Sequence, residues 1–332
     1  MPYTLRAPLA ALCLSLILPC IQPAMAADPA PAKEPAATEP VVERAPLLSR
    51  SKEDAQALER QLPLQEQQQL QAGDETFLAL WKPANSSDPK GAVIIIPGAD
   101  ESADWPDAVG PLRRKFPDVG WASLSLTLPD MLGDTPLARA PEETPAPAPA
   151  DAADPKPKDA AASDATKAVD ATAKAEAEAA ATAAQAAAAE ERAKADADRI
   201  FARIQAAITF AQQNKARSIV LVGHGSGAYW AARFLSEKPS PLIQKLVLVA
   251  AQEPANARPQ LMDLTQTLKV ATGDFVYKDR PQARKAAQQR LDASKRGKGA
   301  GFTQVTLTAI PGNEAGQQDQ LFRRVRGWLE AR

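Results

Sequence analysis

The sequence predicts an α/β fold: a mostly parallel sheet with helices on both faces, interrupted by one long low-complexity insertion. Three short apolar runs, Ala92–Ile96, Ser218–Val222 and Leu246–Ala250, have the composition of strands that are buried on both faces. Helical patterns lie between these runs, and strands that alternate with helices form parallel sheets. Residues 134–198 predict the insertion, because this Pro- and Ala-rich tract has almost no large apolar side chains with which to form a core.

The other elements follow from their periodicity. Glu75–Trp81 alternates as an edge strand does, and Trp121–Leu128 is a further strand that Pro129 ends. An apolar face over Ile200–Ala211 predicts a helix. Further helices are predicted over Tyr229–Leu235, Leu261–Leu268, Pro281–Lys295 and Leu321–Leu329, and further strands over Val270–Gly273 and Phe302–Ile310.

The N-terminus has the three parts of a secretory signal: the basic residue Arg6, the apolar run Leu9–Leu18, and a small-x-small site that ends at Ala26. We therefore expect cleavage after Ala26 and a periplasmic protein, with full secretion as the alternative. Both cysteines, Cys13 and Cys20, lie within this signal, so the mature chain is predicted to have no thiol for a disulfide or a metal.

The composition limits the classes of partner. Residues 27–50 predict a disordered tether, which precedes a domain over 55–332 that the insertion interrupts. A formal net charge of −1 gives no reason to expect nucleic acid as a partner. No segment after the signal is long and apolar enough to predict a transmembrane helix. We expect no cofactor, and one histidine is too few for the usual zinc site.

That histidine, His224, lies in the sequence LVGHGSGA, which follows a predicted strand and begins a predicted helix. This arrangement is typical of the elbow that carries the nucleophile of serine hydrolases, Gly-x-nucleophile-x-Gly. With Gly223 and Gly227 as the outer glycines, the nucleophile position holds Gly225, which has no side chain. The sequence therefore predicts the fold of a hydrolase without its usual nucleophile.

The motifs IIIPGADES, LVGHGSGA, LVLVAA and LFRRVRGWL resemble the α/β-hydrolase superfamily, and more narrowly a bacterial envelope family known as a domain of unknown function. The resemblance covers residues 55–332 apart from the insertion. It implies a histidine base after the last strand, but Asn313 occupies that position, which leaves Glu314 as the candidate base. It also implies an acid near Asp274, with Asp279 as a weaker candidate. Asp274 has a second interpretation, as a turn aspartate that bonds nearby amides.

A candidate pocket combines Gly98 and Ala99, which follow a buried strand, with His224, Gly225 and Ser226. The amides of Ala99 and Ser226 are expected to converge as anion donors. For Ser226 we expect a helix N-cap, with a displaced nucleophile as the alternative. His224 is expected to have a structural role.

Three acidic residues, Asp100, Glu101 and Asp104, follow the same strand. They predict a solvated acidic loop, with a cation site as the alternative.

Three hypotheses follow for the function. The first is a non-catalytic binding or interaction protein of the cell envelope, with a small ligand or an envelope protein as its partner. Its shallow site would combine the pocket with the loops of Asp274 and Asn313. The second is a weak serine esterase that uses Ser226 with a base such as Asp274 or Glu314. The third is a tethered envelope scaffold whose tether and insertion reach a partner.

Overall fold

The computed structural model of the protein describes residues 48–132, 164–297 and 301–331, and it gives the backbone alone for 164–178. The predicted signal and most of the predicted tether lie outside these ranges. The described strands are β1 (Gln67–Ala72), β2 (Glu75–Lys82), β3 (Gly91–Ile96), β4 (Trp121–Leu126), β5 (Ile219–His224), β6 (Ile243–Val249), β7 (Ala271–Tyr277) and β8 (Phe302–Leu307). The described helices are α1 (Arg50–Gln61), α2 (Val109–Lys115), α3 (Asp164–Gln213), α4 (Ser226–Glu237), α5 (Leu261–Thr267), α6 (Pro281–Arg296) and α7 (Glu314–Glu330).

All eight described strands form one sheet in the order β1-β2-β4-β3-β5-β6-β7-β8. Neighbours from β4 to β8 pair in parallel, whereas β2 pairs antiparallel with β1 and β4. The predicted fold class is confirmed. At the centre, Ile94 of β3 lies opposite Leu221 of β5. Because these two strands run in the same direction, the loops after Ile96 and His224 leave the sheet at the same edge.

Two apolar cores cover the two faces of the sheet. On one face, α3, α4 and α5 pack against the strands, and on the other face α2 and α7 do so. The first core includes Ile94, Leu221, Leu248, Ile204 and Phe234. The second includes Val93, Val222, Val249, Leu112 and Val325. Successive residues of β3 and β5 therefore enter opposite cores, which explains why these strands are apolar throughout.

The edge of the sheet differs from the sequence prediction. Glu75–Trp81 was expected at an edge, but β2 has a neighbour on each side and β1 is the edge strand. The sequence of β1 is QQQLQA, and Leu70 is its only buried residue. Its glutamines carry no apolar alternation, so periodicity could not predict it.

Asp274 also lies elsewhere than expected. The strand predicted over Val270–Gly273 continues to Tyr277, so Asp274 lies within β7 and its predicted loop position is wrong. Its side chain is fully buried, 2.9 Å from the guanidinium of Arg290, and Gln304 donates a hydrogen bond to it at 3.1 Å. Burial raises the pKa of Asp274, and the charge of Arg290 opposes that rise.

Helix α3 extends well beyond the domain. Residues 179–194 are exposed on all sides of the helix, and its burial begins at Asp196 and Ala197. At that point the backbone N–H of Leu132 donates to both carboxylate oxygens of Asp196 at 3.1 Å. Leu132 and Asp196, which lie near the two ends of the insertion, are therefore adjacent.

Asp274→Ala is expected to lower the free energy of unfolding by about 3–5 kcal/mol, because the charge of Arg290 would stay buried without its partner. Urea unfolding measures this loss. Asp292→Ala is the matched control: its carboxylate lies 3.7 Å from the Lys295 ammonium with 48% of its side chain exposed, so a change within about 1 kcal/mol is expected. Equal losses in the two variants would contradict the role given to the buried pair.

Deleting residues 134–194 and joining the ends with a short Gly-Ser linker is expected to leave the domain folded. The ends are adjacent and the exposed part of α3 contributes no burial, so stability should change by about 1 kcal/mol or less. Thermal unfolding followed by near-ultraviolet circular dichroism measures this. Loss of cooperative unfolding would mean that the deleted residues stabilise the domain.

Candidate functional site

The candidate site is the turn between β5 and α4, at the edge where β3 and β5 end. His224 ends β5, Gly225 adopts φ 56° and ψ −126°, and Ser226 begins α4. The N–H of Gly225 donates to the carbonyl of Val249 at 3.0 Å, and its carbonyl accepts from the N–H of Gln252 at 3.0 Å. Strand β6 and the loop after it therefore hold the turn in place.

The three glycines of the turn have different roles. A Cβ on Gly223 would lie 2.4 Å from the Cα of Ala228, and a Cβ on Gly227 would lie 2.2 Å from the carbonyl oxygen of Pro97. These contacts are with backbone atoms that have no room to move. A Cβ on Gly225 would have its nearest neighbour, a carboxylate oxygen of Glu101, at 3.6 Å. Two glycines therefore permit close packing, whereas a Cβ on Gly225 would make only ordinary van der Waals contacts.

Glu101 reaches the space beside Gly225. Its Oε2 accepts a hydrogen bond from the N–H of Gly98 at 2.7 Å. The Nδ1 atom of His224 lies 2.7 Å from Oε1 and 2.8 Å from Oε2, and about 14% of each side chain is exposed. Because a carboxylate accepts hydrogen bonds, Nδ1 carries the proton. In the described part of the chain, Glu101 is the only hydrogen-bond partner of the His224 side chain.

The neighbouring amide is also occupied. The N–H of Ala99 donates to the Oγ of Ser226 at 2.8 Å, and the guanidinium of Arg50 donates to the carbonyl of Ala99. In serine hydrolases, an amide of this loop stabilises the oxyanion. Here the amides of Gly98 and Ala99 both have acceptors from within the chain. The expected residues of the pocket do come together, and the amides of Gly98, Ala99 and Gly225 already have acceptors.

The expected role of Ser226 as an N-cap is wrong. Gly225 is the N-cap of α4 and Ser226 is the first helical residue. The reason is the position of the turn, which ends one residue earlier than an N-cap serine requires. Its hydroxyl instead joins the helix to the loop after β3.

None of the other triad candidates hydrogen-bonds to His224 in the described part of the chain. Asp274 is within β7, as described above, and Asp279 is the aspartate that follows this strand, where it accepts from the N–H of Ala309 at 3.2 Å. Asn313 is the N-cap of α7 and accepts from Gly316 at 2.8 Å. Glu314 is the first residue of that helix and is exposed.

The sequence predicted a solvated acidic loop, but two of its three acidic residues have partners within the chain. Glu101 is mostly buried in the site, and the carboxylate of Asp104 accepts from Arg113 at 3.0 Å and from Arg114 at 2.9 Å. Asp100 is the exposed member. Across the described ranges no group of three or more His, Cys, Asp or Glu residues is placed to hold a metal ion.

Among the three glycines, Gly225 should best tolerate a side chain. We expect Gly227→Ala to cost about 3 kcal/mol or more, since its Cβ meets backbone atoms. Gly225→Ala should cost about 1–3 kcal/mol, because φ 56° with ψ −126° is a strained conformation for alanine. Gly327→Ala, where no atom lies within 4 Å, is the control and should gain up to about 1 kcal/mol. Thermal unfolding measures the loss of stability in each variant. A loss for Gly225→Ala as large as that for Gly227→Ala would contradict the conclusion that a Cβ on Gly225 makes only ordinary contacts.

Solved structures share this architecture. An esterase from Pyrococcus furiosus is similar with a TM-score of 0.50 and 12% identity, over 80% of this chain and 90% of that chain. Est1E from Butyrivibrio proteoclasticus has a TM-score of 0.49 and 9% identity, over 80% of this chain and 100% of that chain. A dienelactone hydrolase from Anabaena variabilis has 0.48 and 12%, over 80% and 97%. At these identities, the likeness to the esterase shows the α/β-hydrolase fold alone.

Among curated proteins, none matches the sequence significantly. No helix in the described ranges is long and apolar enough to cross a membrane. The family described as protein of unknown function (DUF3530) matches residues 9–331. Since this match spans almost the whole sequence, the chain belongs to that family, and its fold is that of the α/β hydrolases.

Proposed function

We propose that this protein is a non-catalytic binding or interaction protein of the cell envelope. One observation carries the proposal: the nucleophile position holds Gly225, and the space beside it is occupied by the carboxylate of Glu101, which accepts from the amide of Gly98. The elbow has kept its backbone geometry while its reactive group is absent. An elbow of this kind can recognise a ligand, because recognition needs donors and shape but no nucleophile.

The alternative, a weak esterase that uses Ser226, has less support. The Ser226 hydroxyl is the acceptor of the Ala99 amide, and no base is within its reach in the described contacts. Of the two bases considered, Asp274 is paired with Arg290 in the interior and Glu314 is exposed on α7. A serine nucleophile needs a base within hydrogen-bond distance of its hydroxyl.

The binding surface is proposed to be the edge of the sheet where β3 and β5 end. Helix α3 connects the parallel strands β4 and β5, so it runs opposite to them and begins at this same edge. The exposed part of α3, the elbow and the loop after β3 therefore lie on one side of the domain. A small ligand and an envelope protein remain the two partner classes.

The envelope location is the part of the proposal that rests on sequence. A basic residue, an apolar run and a small-x-small site precede Ala27, as in exported proteins. The periplasm is the proposed location, and full secretion is the alternative.

Fluorophosphonate labelling of the purified protein tests the absence of catalysis. We expect no adduct on Ser226 by mass spectrometry, because its hydroxyl has no base to activate it. A serine hydrolase of known activity, labelled in parallel, shows that the reagent is active. A stoichiometric adduct on Ser226 that is lost in Ser226→Ala would overturn the proposal in favour of an esterase.

A further inference from the structure

The carboxylate of Glu101 makes hydrogen bonds at the elbow of the kind that a bound carboxylate ligand makes. Its carboxylate accepts from one main-chain amide, that of Gly98 at 2.7 Å, and from one imidazole, that of His224 at 2.7 and 2.8 Å. Both carboxylate oxygens are engaged. These donors come from the loop after β3 and from the end of β5, which are far apart in sequence and meet at one edge of the sheet.

The space that the carboxylate occupies is the space that a nucleophile would need. The nearest atoms to a Cβ on Gly225 are Oε1 of Glu101 at 3.6 Å and the Cα of Gly98 at 3.8 Å. A Cβ at Gly225 would therefore be in van der Waals contact with the carboxylate, and the side chain of a nucleophile, which extends beyond Cβ, would compete with Glu101 for this space. The loop that supplies the amide is itself fixed, because Arg50 donates to the Ala99 carbonyl and Ser226 accepts from the Ala99 amide.

We propose that these donors form a carboxylate-binding site in which Glu101 is the internal ligand, and that an external carboxylate binds there when Glu101 swings out. The inference rests on the proposed binding function and names the chemical class of its ligand. The ligand carries a free carboxylate, which accepts from the Gly98 amide and from Nδ1 of His224. Gly225, which has no side chain, lies beside the position of that carboxylate.

Glu101 determines how tightly an external carboxylate must bind in order to replace it. It is three residues from Gly98 in the same loop, so its effective concentration at the site is on the order of millimolar or higher. A simple carboxylate gains the same contacts and no others, so it does not displace Glu101. A ligand that competes must make additional contacts with the loops around the site. Removing the Glu101 carboxylate should therefore expose the site to simple carboxylates.

Formate is the probe, and His224 is the reporter. The chain contains one histidine, so with a histidine-free tag the imidazole proton resonances report this site without assignment. In Glu101→Ala we expect formate, compared with chloride at equal ionic strength, to shift these resonances saturably. Formate should also raise Tm by about 2–4 °C at saturation. The wild-type protein and Glu101→Gln, whose side chain still fills the space, should not respond.

Asp100→Ala is the matched control, because it removes an exposed carboxylate from the same loop. It should behave as the wild type does. A Glu101→Ala protein that is folded and does not respond to formate would overturn the proposal and leave Glu101 as a structural contact. If Glu101→Ala unfolds, formate-dependent refolding supports the site, and failure to refold in formate counts against it. The fluorophosphonate result is independent, since an adduct on Ser226 would overturn the non-catalytic function whatever formate does.

Discussion

Direct backbone contact between helix α4 and strands β3 and β5 is the constraint on which the site depends. Gly223 and Gly227 bring α4 so close that a single added carbon would lie within about 2.4 Å of main-chain atoms. Neither neighbour can withdraw, because β3 and β5 are paired with each other at the centre of the sheet and buried on both faces. The closeness forces the tight turn at Gly225 and brings the ends of both strands together.

This packing accounts for the retention of an elbow that has no nucleophile. The turn is required for α4 to lie on the sheet, so its geometry is maintained by stability and needs no catalytic role. Beside Gly225, the space next to the turn holds a side chain from the loop after β3. Glu101 fills that space, and its negative charge is matched by an amide and an imidazole. The elbow position that holds the nucleophile in serine hydrolases therefore lies beside a charged carboxylate in this chain.

The sequence was sufficient to predict what depends on local pattern. The buried strands and the elbow are marked by runs of apolar residues and by glycine spacing, and all of them are present. Glu101 could not be predicted, because its partner His224 is 123 residues away and only the parallel pairing of β3 and β5 brings them together. Asp274 was misplaced because a charged residue interrupts the apolar pattern of β7. The strand continues through Phe275–Tyr277, where it pairs with β6 and β8. The available signal for Glu101 was its position three residues after Gly98, in the loop that follows a buried strand.

Helix α3 is connected with the loop that holds Glu101. From Asp164 to Lys194 it extends about 45 Å at about 1.5 Å per residue. The buried part of the helix begins at Asp196, which accepts from the Leu132 amide. Two residues before Leu132, Asp130 accepts from Arg50, which also donates to the carbonyl of Ala99. Three polar contacts, Asp196 with Leu132, Asp130 with Arg50 and Arg50 with Ala99, therefore connect the point where the helix becomes buried with the loop that holds Glu101.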